Sequence, residues 1–312
     1  MEFREIVEKI FNLYREGNFK EALCIVRQEK ENFLENLSRL YYYEACLLSS
    51  LNKKDEAIKV LNEALSFGFW WSLNTLTYEK DFNTIRESKE FKEIFEKCKL
   101  FEEKSKETSK SEYILLEPKN LDITHNYPIL ISLHSRDGNI KSYSKYFDHK
   151  FINENLYILF PQSSQKTSFS GYSWDNSEIA YKDIISITND ILDKYYINKN
   201  KIIISGASQG GRIALEIYLK NLIPLMGYIG IIPAFKDINY ILDFLDKRIG
   251  ENLRFVFITG DKDHFFDVVS KLNNEIEKRG FKTLFNVNKN MGHSIPDDLE
   301  EKLKLSIKFL LD

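Results

Sequence analysis

The segment Lys201–Leu215, KIIISGASQGGRIAL, constrains this chain more than any other. The apolar run Ile202-Ile-Ile204 breaks at Gly206-Ala-Ser208-Gln-Gly210-Gly211 and passes at once into apolar positions at helical spacing. A strand that turns directly into a helix holds the central residue of the turn in a strained backbone conformation. The residues flanking it must be small, because neighbouring backbone passes close by. Gly206 and Gly210 meet that demand, and Gly211 gives further room. The turn should therefore present the Ser208 hydroxyl on a sharp corner. The N–H of Gln209 then opens a helix, where the aligned peptide dipoles favour developing negative charge.

A Gly-x-Ser-x-Gly pattern alone is common in turns, but two later segments add weight. Asp263 follows the apolar run Phe255–Thr259, and His293 follows Thr283–Val287. Ser208, Asp263 and His293 each sit just past the C-terminal end of an expected strand, the edge at which open parallel sheets assemble their sites. A serine hydroxyl is a weak nucleophile unless a base lies within hydrogen-bond reach and that base is oriented by a third group. In this reading His293 takes the Ser208 proton, and Asp263 fixes the imidazole tautomer. Asp261 is the competing acid.

From about Tyr113 to Asp312 the chain resembles the phospholipase/carboxylesterase branch of the α/β-hydrolases, which includes acyl-protein thioesterases and small esterases. Four blocks carry the resemblance. They are Pro128-Ile-Leu-Ile-Ser-Leu-His134-Ser-Arg136; Leu159-Phe-Pro161 with Gly171-Tyr-Ser-Trp174-Asp175; Gly206-Ala-Ser208-Gln-Gly-Gly211; and Gly260-Asp-Lys-Asp263 with Gly292-His293. The order serine, acid, histidine is that of the α/β-hydrolases. The resemblance implies Ser208, Asp263 and His293 as nucleophile, acid and base, and it favours Asp263 over Asp261 because Asp263 directly precedes the His264-Phe265 pair. It also implies an oxyanion hole made by the backbone N–H groups of Gln209 and Arg136. The sequence departs from the family at His134-Ser135, where His-Gly is usual. Trp174 and His134 are the expected substrate-side residues. His134 is read as holding the oxyanion loop, and Trp174 as either an acyl-pocket wall or a core aromatic. Asp175 is read as a hydrogen-bonding loop residue, His264 as a packing or loop residue, and His125 and His149 as surface residues.

The alternation of expected elements after residue 112 supports an α/β fold with a mostly parallel central sheet. The strands are read as Tyr113–Leu116, Ile129–Leu133, Leu156–Phe160, Lys201–Ser205, Met226–Ile232, Arg254–Thr259 and Lys282–Val287. Helices are read over Ser177–Lys194, Gln209–Asn221, Phe265–Arg279 and Asp297–Leu311, with Pro296 at the start of the last.

Residues 1–100 read differently. Apolar residues recur at helical spacing throughout, as in Ile6, Ile10, Leu13 and Tyr14. Two stretches are alike, Gly17-Asn-Phe-Lys-Glu-Ala22-Leu and Asn52-Lys-Lys-Asp-Glu-Ala57-Ile, with their alanines 35 positions apart. That is close to the length of a tetratricopeptide helix pair, and the region resembles two divergent repeats of that kind. Ala22, Ala57 and Ala64 match the small positions that let paired helices approach. Phe67-Gly-Phe-Trp70-Trp71 opens a less regular helical segment. So few repeats are expected to pack on a neighbour, and self-association or a protein partner is the alternative use of this region. The polar stretch 101–111 reads as a linker or frayed helix end, which leaves 112–312 as the catalytic domain.

Composition narrows the remaining classes. With 312 residues, two domains are expected, and a hydrophobic fraction of 43% supports a sizeable core. A net charge of -3 offers no basic surface for nucleic acid. Residues 1–9 lack a signal-peptide pattern, no apolar run approaches a membrane span, and the cytoplasm is the expected location. Cys24, Cys46 and Cys98 fit no metal-ligand spacing and are read as buried helix-face thiols. Neither metal nor cofactor is expected. The expected activity is hydrolysis of a small-molecule carboxylic ester or thioester of short-to-medium acyl chain. A peptidase or acyltransferase on the same triad, or a repeat-mediated binding protein with an inactive hydrolase domain, are the alternatives.

Overall fold

The computed structural model describes residues 3–147 and 155–312, so His149 lies outside the described residues. The chain forms two compact units. One comprises residues 1–108 together with 166–170; the other comprises 109–165 and 171–312.

The first unit is helical: α1 (Phe3–Arg15), α2 (Phe19–Glu29), α3 (Leu37–Ser50), α4 (Lys54–Ser66), α5 (Leu73–Tyr78) and α6 (Lys89–Thr108). The two similar stretches fold alike. Gly17 (φ 77) and Asn52 (φ 59) both take the left-handed conformation, each just past the end of a helix. In each turn the next residue bonds back across it, Asn18 N–H to Leu13 O and Lys53 N–H to Leu48 O. Glycine and asparagine are the residues that tolerate this geometry, so the sequence similarity reflects a shared turn. Ala22, Ala45, Ala57 and Ala64 are fully buried where consecutive helices meet. These helices are consistent with the tetratricopeptide-like reading. Of the two readings of residues 101–111, a linker or a helix end, most of the stretch takes the second, because α6 runs on to Thr108 before the first strand begins at Glu112. Its polar side chains face water, and Ser105 alone among its last four residues is buried. Trp70 and Trp71 are both buried in the core of this unit. Cys46 and Cys98 are buried free thiols, but Cys24 is exposed, contrary to expectation. In α2 the buried positions are Ala22, Leu23, Ile25 and Val26, which leaves Cys24 on the outer face.

The second unit is a three-layer α/β structure. Its strands are β1 (Glu112–Leu116), β2 (Tyr127–Leu133), β3 (Tyr157–Gln162), the short β4 (Gln165–Lys166), whose second residue falls in the first unit, the short β5 (Tyr172–Ser173), β6 (Ile197–Ala207), β7 (Gly227–Ile231), β8 (Arg254–Gly260) and β9 (Lys282–Asn288). The main sheet has seven strands in the order β1-β3-β2-β6-β7-β8-β9. Strand β1 pairs antiparallel with β3, and the other pairings are parallel. The central strands are apolar along their length because both faces are covered: one by a core including Ile202, Ile204 and Phe257, the other by a core including Ile203, Val256 and Ile258.

The helices are α7 (Ile140–Tyr143), α8 (Ser177–Lys194), α9 (Gln209–Leu219), α10 (Asn239–Asp246), α11 (Phe266–Lys278) and α12 (Leu299–Leu311). Helix α8 has the expected bounds, and its N-cap Asn176 accepts from the N–H groups of Glu178 and Ile179. Helix α9 stops at Leu219 because Asn221 (φ 52) turns left-handed behind it. Helix α12 starts later than the sequence pattern suggests. Pro296 lies in a turn ahead of it, with Leu299 N–H bonded to Pro296 O. No helix among the described residues is long and apolar enough to cross a membrane.

Candidate active site

The sharp corner between β6 and α9 takes the geometry its sequence calls for. Ser208 has φ 52 and ψ -115, a conformation that costs energy for any residue with a side chain. A Cβ added to Gly206 would stand 2.4 Å from the Gly210 carbonyl carbon, and one on Gly210 would stand 2.5 Å from the His134 carbonyl oxygen. Both obstacles are backbone and cannot rotate away. The strain is held by bonds on both sides of Ser208. Its N–H donates to Ile231 O at 2.9 Å, and its carbonyl accepts from Ala234 N–H at 3.1 Å. The clamp itself is strained: Ile232 has φ 41, rare for a β-branched residue, and its N–H donates to Ile258 O at 2.6 Å.

Three side chains distant in sequence meet at this corner. Ser208 Oγ donates to His293 Nε2 at 2.8 Å. His293 Nδ1–H donates to Asp263 Oδ2 at 2.8 Å. The Asp263 side chain is wholly buried, and its Oδ1 accepts from Phe265 N–H at 2.9 Å. Both carboxylate oxygens are therefore occupied, which fixes the carboxylate and, through it, the imidazole ring. The ring of Phe265 meets His293 edge-on, with centroids 5.3 Å apart. Asp261 does other work: its carboxylate accepts from Asn290 N–H at 2.7 Å, and its own N–H bonds Asn288 O. It pins the loop that carries His293. His264 is two-thirds exposed, and its ring lies against that of Phe265 at a tilt of 45°, with centroids 4.1 Å apart. His125 is exposed on the surface, where its ring pairs with Asp122.

The loop after β2 carries Arg136, the second expected oxyanion donor. His134 at its base is wholly buried and neutral in function. Its Nδ1–H donates to Ser135 O at 2.8 Å, and its Nε2 accepts from the Gln162 amide at 2.9 Å. The same Gln162 side chain accepts from Ile140 N–H at 3.0 Å, so a single residue of β3 fastens both ends of the loop. Ser135, where the family usually has glycine, needs no left-handed backbone, because the left-handed residue of this loop is Asp137 (φ 57). A tight turn closes it, with Gly138 N–H on Ser135 O and Gly138 O accepting from Tyr172 N–H.

Two expectations need correction. Trp174 and His134, expected on the substrate side, are both fully buried; for His134 the bonds to Ser135 O and Gln162 fit the other reading, that it holds the loop. Trp174 lies beneath the loop: its indole N–H donates to His134 O at 2.8 Å, and the two rings are 4.7 Å apart. The indole needs an acceptor once buried, and the loop carbonyl supplies one, so the side chain is drawn inward rather than toward a ligand. The sequence marks Gln162 only by its place directly after Leu159-Phe-Pro161.

Burial drives the His134 pKa down to about 4, the Ser135 carbonyl opposing the shift only in part. The unfolded chain, with an ordinary histidine pKa near ~6.5, therefore binds more protons than the folded protein between the two values. Stability must fall as the pH drops from about 6.5 to about 4, by on the order of 3 kcal/mol from this residue. Urea unfolding midpoints at pH 7 and pH 5 check this. A midpoint that does not drop at pH 5 would contradict a neutral buried His134.

Residues 2–106 match the family model described as an A/B hydrolase-like, N-terminal domain. The unit that follows has the α/β-hydrolase fold, and the protein is thus an α/β-hydrolase-fold chain preceded by an all-helical region. No curated protein matches the sequence. Among solved structures, an uncharacterized protein from Bacillus cereus ATCC 10987 aligns over 99% of this chain and 99% of its own, at 23% identity and TM-score 0.56. Esterase PE8 aligns with 64% of this chain and 99% of its own, at 16% identity and TM-score 0.53. An S-formylglutathione hydrolase from Agrobacterium tumefaciens aligns with 65% of this chain and 91% of its own, at 13% identity and TM-score 0.51. The first shares the whole two-part architecture; the other two share the α/β unit.

Proposed function

We propose that this protein is a serine hydrolase that cleaves carboxylic esters or thioesters of small to medium acyl groups. The observation that carries the reading is the unbroken relay Ser208–His293–Asp263, two bonds of 2.8 Å ending on a buried carboxylate. In the first half-reaction Ser208 Oγ attacks the acyl carbonyl carbon while His293 Nε2 takes the hydroxyl proton. The carbonyl oxygen becomes an oxyanion, held by the N–H groups of Gln209 and Arg136. The C–O or C–S bond then breaks, and His293 returns the proton to the leaving alcohol or thiol. In the second half-reaction His293 deprotonates a water that attacks the acyl-serine, releasing the acid and restoring Ser208. Asp263 stays ionised throughout and stabilises the imidazolium. Esterases and an S-formylglutathione hydrolase are built on the same fold, which is compatible with either an ester or a thioester bond.

The test is labelling with a fluorophosphonate probe. Wild-type protein is expected to become phosphonylated, and Ser208→Ala to take no label. A folded wild type that takes no label would sink the reading and turn attention to the helical unit. Turnover of p-nitrophenyl esters of increasing chain length then reports the acyl preference, with a maximum at short-to-medium chains expected.

A further inference from the structure

Two stretches of backbone are expected to hold the oxyanion, and they belong to different elements. Arg136 lies on the loop between β2 and α7, and Gln209 is the first residue of α9. One carboxylate joins them. Asp175 Oδ2 accepts from Arg136 Nη2 at 3.1 Å, and Asp175 Oδ1 accepts from Gln209 Nε2 at 2.8 Å. The other end of the Gln209 amide is also engaged, since its Oε1 accepts from Trp174 N–H at 2.8 Å. That pair of bonds fixes the orientation of the amide, one atom needing a donor and the other an acceptor. Trp174 is anchored in turn. Its indole donates to His134 O, at the base of the oxyanion loop, and its carbonyl accepts from Arg212 Nη2 at 3.3 Å. Residues 174 and 175 thus tie the start of α9 to the loop that carries Arg136.

The tie is worth little as an ion pair. The side chains of Asp175 and Arg136 are 48% and 43% exposed, and solvent screens such pairs. Its value is positional. Oxyanion donors act only when they stand about 2.7–3.1 Å from the developing charge, so a few tenths of an ångström at Arg136 matter. Without Asp175 the guanidinium has a different carboxylate to turn to, since Arg136 Nε lies 3.9 Å from Asp137 Oδ2 on its own loop. Resting on the serine-hydrolase reading above, we propose that Asp175 is a positioning residue that sets the separation of the two oxyanion N–H groups by holding the side chains of Arg136 and Gln209.

The experiment uses the full chain with p-nitrophenyl acetate as substrate and an aryl trifluoromethyl ketone as inhibitor, whose serine adduct carries the oxyanion. Asp175→Ala is expected to lower kcat about tenfold, less than the ~10²–10³ for outright loss of a donor, because the donor is displaced rather than removed. KM should stay within about twofold, and the inhibition constant of the ketone should rise by the factor that kcat/KM falls, because both report the tetrahedral state. Asp175→Asn keeps one acceptor oxygen and should lose less. The melting temperature and the pH dependence of kcat/KM should match wild type, which a merely structural role would not give. Wild-type kcat in Asp175→Ala would overturn the proposal, and so would a lower kcat with unchanged ketone inhibition. Fluorophosphonate labelling of the same preparations separates the two readings. If the wild type labels and Asp175→Ala turns over normally, only the positioning role falls; if the wild type takes no label, both fall.

Discussion

Ser208→Ala is expected to lower kcat for ester hydrolysis by about 10⁶, the scale seen when the nucleophile of a working triad is removed. The loss is large because the three groups act as a unit. The relay of bonds from Asp263 through His293 ends on Ser208 Oγ. The fold should be unaffected, since alanine occupies the same strained φ of 52 with a smaller side chain. Steady-state rates on p-nitrophenyl acetate, with far-UV circular dichroism as the folding control, check the prediction. Ser208→Ala retaining more than a few per cent of wild-type kcat would exclude Ser208 as the nucleophile.

The second large effect concerns a residue with no chemistry of its own. Gly210→Ala is expected to destabilise the protein by about 3 kcal/mol or more, at the upper end for an overpacked site. The added methyl would meet the carbonyl oxygens of His134 and Leu133 at 2.5 and 2.6 Å, and those belong to the end of β2 and the base of the oxyanion loop. Either α9 moves away from β2 or the loop moves, and both displace Gln209 or Arg136. Thermal unfolding should show a melting temperature lower by roughly 6–12 °C, at ~2–4 °C per kcal/mol for a domain of this size. Ester hydrolysis by the fraction that remains folded should also be impaired. A melting temperature within a degree of wild type would mean the helix and loop have slack that the close approach does not suggest.

Local patterns carried much of this fold. The bounds of α8 follow from its capping Asn176 and its apolar period, both readable in sequence. The corner at Ser208 follows from glycine spacing, because only residues without a Cβ fit where two backbones nearly touch. The likeness of the stretches at Gly17 and Asn52 was legible, but that it marks a shared left-handed turn emerged only in the structure. Helix α10 was not legible: it is only eight residues, Asn239–Asp246, too short for its period to stand out. The end of α6 was hidden for the opposite reason, since a polar helix extending into solvent has no apolar period to read.

For the site, the sequence by itself determined which groups are present and on which strand ends they sit: Ser208, Asp263 and His293, in an order that a parallel sheet brings to one edge. Tertiary structure decided their bonds. It gave His293 the partner that the family resemblance implies, Asp263 rather than Asp261 two residues away on the same loop, because the former reaches the ring while the latter is spent on Asn290. It moved Trp174 and His134 from the substrate side into the core, where an indole N–H finds a carbonyl and an imidazole loses its charge. It also brought Gln162 to His134, and Asp175 to Arg136 and Gln209, partners that sequence distance conceals. Spacing along a chain fixes what a strand end can offer, but hydrogen bonds between loops depend on distances that exist only once the sheet has set them.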